Sequence, residues 1–161
     1  MVYGGGANGM MGAAARGCKE YGGHIIGVAP KFFEVDGILF TECDELLRPD
    51  TMRERKQIME DYADAFIITP GGIGTFEEFF EILTLKQLSQ HNKPMIVFNI
   101  DGYYNSMQEF MKNALEHNFL KEACFNLYAV CSEIDEVFEY LDNYKPVEYN
   151  LVELKSVKTE K

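Results

Sequence analysis

The chain has 161 residues, of which 47% are hydrophobic and 25% charged, which is enough for one globular domain with a core and too few for two. Its formal net charge of -11 disfavours non-specific binding to nucleic acids or to anionic membranes, because nothing would offset the repulsion between like charges. The four cysteines form no C-x-x-C pair and the three histidines lie apart, so we expect no metal site and buried, reduced thiols in a cytoplasmic protein.

Short apolar strands alternate with helices along the chain. In chain order we predict strand 1–3, helix 10–21, strand 24–29, short strands near 38–41 and 45–47, helix 51–62, strand 65–69, helix 76–90, strand 95–98, helix 104–117, strand 127–130 and helix 133–141. The strands are apolar throughout, which favours a parallel sheet covered by helices on both faces. We therefore predict an α/β fold in which residues 1–144 form a single domain and residues 145–161 a polar tail, loose apart from 147–154.

A first glycine loop, Gly4-Gly-Gly-Ala-Asn-Gly9, follows the first strand and matches the bare dinucleotide pattern G-x-G-x-x-G. The acid that should end the next strand and hold a ribose hydroxyl is absent, since that strand ends Val28-Ala-Pro-Lys31. The NAD or FAD interpretation is therefore disfavoured. Two interpretations stay open: a nucleotide or phosphate contact, or glycines that only let a helix pack close to the sheet.

The nine residues Pro70-Gly-Gly-Ile-Gly-Thr-Phe-Glu-Glu78 stand between an apolar strand and an apolar helix. A glycine turn at that place gathers bare backbone amides at the positive end of a helix, which is a typical phosphate or anion site. No Lys-Ser or Lys-Thr follows the glycines, so magnesium-assisted triphosphate chemistry is disfavoured. In projection Glu78 lies above the apolar stripe of the helix, whereas Glu77 and Glu81 lie on the other side, so Glu78 is the candidate site acid.

Helix capping offers a simpler explanation of part of this loop. Thr75 and Glu78 fit a capping box in which each side chain accepts a hydrogen bond from the other's amide, and this alone would account for Glu78. It does not account for three glycines and a proline ahead of the box. By the same pattern, Asp50 or Thr51 can cap helix 51–62, and Ser132, with Asp135 as a weaker partner, can cap helix 133–141.

Helix 51–62 places Arg55 in the middle of its apolar face. A guanidinium is rarely buried without a partner. Arg55 can pair with an internal carboxylate, extend its stem to the surface, or point into a pocket toward a bound anion or a catalytic acid. Lys56 borders the same face and can assist, whereas Arg53 projects away from it.

These segments resemble motifs of one known family. Pro70–Glu78 fits the P-G-G-x-G-T-x-x-E signature of the LOG ("lonely guy") family, and Met52-Arg-Glu-Arg-Lys56 is similar to its M-H-x-R-K motif, with Arg53 in place of His. Val2-Tyr-Gly-Gly-Gly6 and Asp101-Gly-Tyr-Tyr-Asn105 look like further family landmarks. The resemblance covers nearly the whole chain, and the separation of the two motifs also fits.

The resemblance implies a Rossmann-like homodimer that needs no cofactor and acts as a cytokinin riboside 5'-monophosphate phosphoribohydrolase. Such enzymes cleave the N-glycosidic bond of N6-modified or plain AMP and release the free base and ribose 5-phosphate. The implied essential pair is Arg55 and Glu78. The implied substrate-binding residues are Gly4, Gly5, Gly6, Met52, Lys56, Gly71, Gly72, Gly74 and Thr75.

The resemblance also sets limits and leaves alternatives open. The family normally has a strand and a helix before V-Y-G-G-G, and we expect this first βα unit to be missing here. An older label calls the family lysine decarboxylase-like, but no motif in the chain supports pyridoxal-phosphate chemistry. A non-catalytic nucleotide-binding protein of the same fold stays open, and an NAD-dependent oxidoreductase is disfavoured by the missing acid.

Overall fold

The computed structural model describes residues 1–33, 37–147 and Leu154, and it divides into two compact units, Met1–Ala63 and Asp64–Lys161. Both units have the same plan, a three-stranded parallel sheet with helices around it. The predicted α/β, Rossmann-like class is therefore confirmed. Within the described part of the chain, no helix is both long and apolar enough to cross a membrane.

The first unit contains strands β1 (Val2–Tyr3), β2 (Ile26–Val28) and β3 (Glu45–Leu47) and helices α1 (Gly9–Glu20) and α2 (Met52–Tyr62). The sheet order is β1-β2-β3, and Val2 pairs with Ile26 and Ile26 with Glu45. An antiparallel bridge joins Gly6 to Leu39, which is all that forms of the predicted strand near 38–41. A small hydrophobic cluster in this unit contains the buried residues Tyr3, Ala15, Ile25 and Phe40.

The second unit contains strands β4 (Phe66–Ile68), β5 (Met95–Phe98) and β6 (Ala129–Cys131) and helices α3 (Ile73–Gln87), α4 (Asn105–Glu116) and α5 (Ile134–Asn143). Short 3₁₀ turns cover Ile100–Gly102 and Glu122–Leu127. The sheet order is β4-β5-β6, with Ile67 opposite Ile96 and Val97 opposite Val130.

Strand β5 has both faces buried, which explains why its sequence is apolar without alternation. Met95 and Val97 belong to the main core with Phe79 and Leu83 of α3, whereas Ile96 packs with Cys131 and with Val137 of α5 on the other face. Met95, Ile96 and Val97, three of the four residues of β5, are completely buried. The helices thus cover this sheet on both sides, as the sequence predicts.

Three local predictions meet different outcomes at the helix starts. Thr51 caps α2, and its hydroxyl accepts from the Glu54 amide while Glu54 accepts from the Thr51 amide. The predicted start at Phe76 is wrong, because α3 begins at Ile73 with Gly72 as its N-cap, so Thr75 lies inside the helix and is not a cap.

The predicted Ser132 cap is also wrong by one residue. Glu133 is the N-cap of α5, and Glu136 accepts hydrogen bonds from the amides of Ser132 at 2.8 Å and Glu133 at 3.2 Å. Glu136 is long enough to reach both amides. Asp135 has a shorter side chain and lies one position too early in the helix to do so.

The prediction of buried thiols is half right. All four cysteines are reduced, but only Cys124 and Cys131 are buried, whereas Cys18 and Cys43 are half-buried. Most of the predicted tail lies outside the described residues. Its one described residue beyond position 147, Leu154, is buried in the main core of the second unit.

Candidate functional site

The second glycine loop connects the carboxyl end of β4 to the amino end of α3. The first intrahelical hydrogen bond of α3 runs from the Phe76 amide to the Gly72 carbonyl at 3.1 Å. The amides of Ile73, Gly74 and Thr75 precede that bond, so helix geometry gives them no intrahelical acceptor. These first-turn amides form the positive end of a 15-residue helix, where an anion is stabilised.

Close packing fixes the shape of this loop. A Cβ placed on Gly71 would collide with the hydroxyl of Thr75, so only glycine lets the first turn of α3 fold back over the loop. Gly72 and Gly74 have open space where a side chain would stand. Of the three loop glycines, Gly71 is therefore the one required by packing, while Gly72 and Gly74 leave their backbone accessible.

Two consecutive tyrosines hold the loop from the neighbouring strand. Tyr104 donates its hydroxyl hydrogen bond to the Thr69 carbonyl at 2.6 Å, and Tyr103 donates to the Gly71 carbonyl at 2.6 Å. Both tyrosines belong to the connection that follows β5. The carbonyl oxygens on either side of Pro70 are thus occupied by hydroxyl donors.

Glu78 lies in the second turn of α3, on the half-buried side of the helix. Phe79 beside it is 2% exposed, and Glu77 and Glu81 are exposed, so the side assigned to each acid from the sequence is confirmed. Because α3 starts three residues before the predicted position, Glu78 is the sixth helical residue rather than the third. Glu78 therefore stands one turn beyond the three first-turn amides, and the capping box that pairs it with Thr75 is ruled out because Gly72 is the N-cap.

Arg55 is buried in the first unit, with 7% of its surface exposed. Its Nε donates to the carbonyl of Val28, the last residue of β2, at 3.0 Å. A Cβ on Gly4 would collide with Nη2 of Arg55, so the guanidinium lies directly against the backbone of the first glycine loop. The predicted position of Arg55 on the inward face of α2 is confirmed, and Arg53 is exposed as predicted.

The other predicted residues of the first unit lie around this guanidinium or beside it on α2. Gly5 has a positive φ of 76°, a conformation that glycine adopts without strain, and Gly6 makes the bridge to Leu39. Lys56 is half-buried and Met52 is 39% exposed. The glycines at positions 4 and 5 therefore serve a backbone turn and the close approach of an arginine, which the sequence pattern alone does not show.

A cavity of about 430 Å³ opens at the carboxyl ends of β5 and β6. This is the edge of a parallel sheet at which ligands bind in α/β proteins. Its lining residues are Phe98, Asn99, Ile100, Asp101, Gly102, Ser132, Glu133 and Ile134. The cavity was not predicted, because it is formed by two connections that are about 30 residues apart in the chain.

Lys86 is a further buried charge that the sequence analysis missed. It is 1% exposed, and its Nζ donates to the Lys93 carbonyl at 2.8 Å and to the Tyr144 hydroxyl at 3.0 Å. Burial lowers the pKa of Lys86 from 10.5 to about 8. The signal was present, because Lys86 falls in the same row of α3 as Phe79 and Leu83, as Arg55 does in the apolar face of α2.

Comparisons with known proteins agree with the motifs. A family model described as "Possible lysine decarboxylase" matches residues 11–141. The chain is 36% identical over 147 residues to cytokinin riboside 5'-monophosphate phosphoribohydrolase LOG5 of Arabidopsis thaliana, covering 91% of this chain and 64% of that protein.

Two further relatives give similar figures. A protein named "Probable cytokinin riboside 5'-monophosphate phosphoribohydrolase LOGL3" of Oryza sativa subsp. japonica is 37% identical, covering 91% of this chain and 69% of that protein. For LOG2 of Arabidopsis thaliana, named as the same enzyme, identity is 35%, with 91% and 68% covered. The chain thus spans just over two thirds of the length of LOGL3 and of LOG2. It spans slightly less than two thirds, 64%, of LOG5. On this evidence the chain belongs to the LOG family, whose model carries the lysine decarboxylase description.

Proposed function

We propose that this protein hydrolyses the N-glycosidic bond of an adenosine 5'-monophosphate, plain or N6-modified, and releases the free base and ribose 5-phosphate. The observation that carries the proposal is the second glycine loop, in which three first-turn amides of α3 are followed in the next turn by Glu78. The names of the relatives support the same activity.

The amides of Ile73, Gly74 and Thr75, with those of Gly71 and Gly72, are the proposed phosphate-binding groups. Backbone amides are a fitting choice here, because the chain has a formal net charge of -11 and its surface would otherwise repel a phosphate. A helix amino end supplies positive potential without a lysine or arginine. Binding energy from the remote phosphate then positions the ribose for reaction.

Glu78 is the proposed catalytic carboxylate. Cleavage of a glycosidic bond builds positive charge on the sugar ring, and a carboxylate close to that ring stabilises it. Glu78 also has the chemistry to hold a ribose hydroxyl or the attacking water. Arg55 is the proposed second essential residue, with the role of contacting the nucleotide or orienting an acid. Its burial and its hydrogen bond to Val28 support a fixed guanidinium rather than a mobile surface charge.

Gly4, Gly5, Gly6, Met52 and Lys56 are the further proposed substrate-binding residues. We also propose that the protein acts as a homodimer in the cytoplasm and without a cofactor, in line with the family resemblance. Pyridoxal-phosphate decarboxylation, which the family description suggests, has no supporting motif in the sequence, so we do not propose it.

The test is to incubate purified protein with AMP and with isopentenyladenosine monophosphate and to quantify free base by chromatography. Glu78→Gln and Arg55→Ala should each lower kcat/KM by about a hundredfold or more, the range for removing a group that stabilises transition-state charge. The matched controls are Glu77→Gln and Arg53→Ala, which change the exposed neighbour of each residue and should stay near wild type.

Each possible result has a clear meaning. Base release that persists in either main variant removes that residue from the mechanism. Wild-type protein that binds AMP in a thermal-shift assay but releases no base under any condition overturns the proposed hydrolysis and supports a non-catalytic nucleotide-binding protein.

A further inference from the structure

Three carbonyl groups of the second glycine loop have hydrogen-bond donors. The Thr69 and Gly71 carbonyls accept from the hydroxyls of Tyr104 and Tyr103, and the Gly72 carbonyl accepts from the Phe76 amide. Pro70 has no amide hydrogen, so it cannot compete for these acceptors. These three hydrogen bonds restrict the rotation of the peptide groups that follow Thr69, Gly71 and Gly72.

The two tyrosines are held in place by the polar end of β5. The side chain of Asn99, which follows β5, accepts from the Tyr104 amide at 2.7 Å and donates to Asn105 at 2.9 Å. Asp101 and Gly102 both have positive φ angles, of 50° and 72°, which turn the chain so that Tyr103 and Tyr104 face the loop. The rings of Tyr103 and Tyr104 contact each other edge to face, with centroids 5.0 Å apart.

The two hydroxyls differ in environment. Tyr104 is 1% exposed, and burial raises the pKa of its hydroxyl to about 12, so it remains a donor throughout the pH range of an assay. Tyr103 is 51% exposed, so replacing it removes a hydroxyl without opening the core. Tyr104 therefore binds the residue before the loop, Thr69, and Tyr103 binds Gly71, which lies two residues before the first helical residue of α3.

We infer, on the basis of the function proposed above, that Tyr103 is a positioning residue for the substrate's 5'-phosphate, and that Tyr104 supports it. Neither hydroxyl needs to touch the nucleotide. By fixing the Gly71 carbonyl, Tyr103 sets the peptide plane between Gly71 and Gly72, and with it the direction of the Gly72 amide. Specificity for a phosphorylated substrate then depends on Tyr103, which follows Gly71 by 32 positions in the chain.

The experiment compares Tyr103→Phe with wild type in steady-state kinetics on AMP. Losing one hydrogen bond that orients a phosphate-binding amide should raise KM for AMP and the inhibition constant of ribose 5-phosphate by roughly threefold to tenfold. Inhibition by free adenine should not change, because adenine carries no phosphate. A purely structural role would move all three constants together or only lower the melting temperature.

Two control variants test whether the effect is specific to the hydroxyl that binds the loop or follows the loss of any tyrosine hydroxyl. Tyr128→Phe removes a buried hydroxyl in the same unit that donates to the Gln108 side chain rather than to a loop carbonyl. Tyr21→Phe removes one from a side chain that is 88% exposed. Both should keep wild-type constants for AMP and ribose 5-phosphate, while Tyr104→Phe should raise the phosphate-dependent constants and also lower stability.

The outcome for this inference can be told apart from the outcome for the proposed function. If wild type hydrolyses AMP and Tyr103→Phe has the same KM and the same ribose 5-phosphate inhibition, the inference is wrong and the function stands. If wild type releases no base, calorimetric titration with inorganic phosphate replaces kinetics. Weaker phosphate binding by Tyr103→Phe than by Tyr128→Phe then supports the inference, and equal or undetectable binding overturns it.

Discussion

Wild-type protein should gain stability between pH 7 and pH 9, and replacing Lys86 with methionine should abolish that gain. Lys86 is 1% exposed, and its Nζ lies 5.0 Å from the centre of the Tyr144 ring. Its Nζ donates to the Lys93 carbonyl and to the Tyr144 hydroxyl. A neutral amine still has two N–H groups, so it can keep both hydrogen bonds after losing its proton.

The sign follows from the two pKa values of the lysine. In the folded chain burial lowers the pKa to about 8, whereas the unfolded chain keeps the ordinary value of 10.5. Between these values the unfolded state binds more protons than the folded state, so the free energy of unfolding rises with pH. Below pH 7 both states are protonated, and the full cost of burying the charge is present.

The magnitude follows from the same linkage. With folded and unfolded pKa values of about 8 and 10.5, the gain between pH 7 and pH 9 is on the order of 1 kcal/mol. The range stops at pH 9 because Cys131, Tyr3, Tyr104 and Tyr128 also have raised pKa values and titrate near or above that pH. Their folded pKa values exceed the unfolded ones, so they oppose the lysine at higher pH.

The assay is urea unfolding followed by circular dichroism at pH 7, 8 and 9 for wild type, Lys86→Met and Lys112→Met. Lys112 is an exposed lysine of α4 and serves as the control for loss of one positive charge. Wild type and Lys112→Met should gain stability with pH relative to Lys86→Met. Parallel curves for wild type and Lys86→Met would show that the buried amine does not titrate in this range, and the reasoning would be refuted.

Two further predictions concern the backbone around Arg55. Gly4→Ala places a Cβ against the buried guanidinium of Arg55, so it should lower the free energy of unfolding by about 1–3 kcal/mol and reduce base release, measured by urea unfolding and the AMP assay. The control Gly17→Ala, at a helical position with open space, should instead stabilise by about 0.5–1 kcal/mol, and equal losses in both variants would contradict the packing argument. Thr51→Ala removes the acceptor of the Glu54 amide and should cost about 1 kcal/mol by the same measurement, whereas an unchanged midpoint would show that the cap contributes nothing.

The sequence allowed the fold to be predicted where hydrophobic pattern and local geometry agree. Strand β5 is found at the predicted residues, because a run of four apolar residues after Lys-Pro has no competing structure. The inward position of Arg55 was predictable for a related reason, since helical spacing alone decides which face a residue occupies. Both inferences use only the period of one element.

The start of α3 differs from the prediction because three of the residues 71–75 are glycines, which usually indicate a loop, whereas the helix already begins at Ile73. In the first turn of a helix the amides have no intrahelical acceptors, so helix propensity counts for less there than in the interior. Gly74 is therefore accommodated inside the helix. The correction matters for function, since it removes the capping explanation of Glu78.

The contacts of Tyr103 and Tyr104 with the loop could not be predicted from the sequence. They join residues 32 and 35 positions apart, and they depend on β4 and β5 being neighbours in register. In the sequence, the motif Asp101–Asn105 indicates only a resemblance to the family. Its physical role emerges from the parallel pairing of two strands, which places the end of one beside the end of the other.

Helix α3 is a stiff rod of 15 residues, about 22 Å long, with the candidate chemistry at one tip and a buried amine at the other. Near the C-terminal end of the helix, Lys86 donates to the carbonyl of Lys93, just before β5. Along the helix axis, Lys86 lies about 12 Å from Glu78. A shift of α3 along its axis would break the hydrogen bond between Lys86 and the Lys93 carbonyl. The axial position of Glu78 therefore depends on a contact near the other end of the helix. Engineering of the second glycine loop should therefore leave Lys86 unchanged.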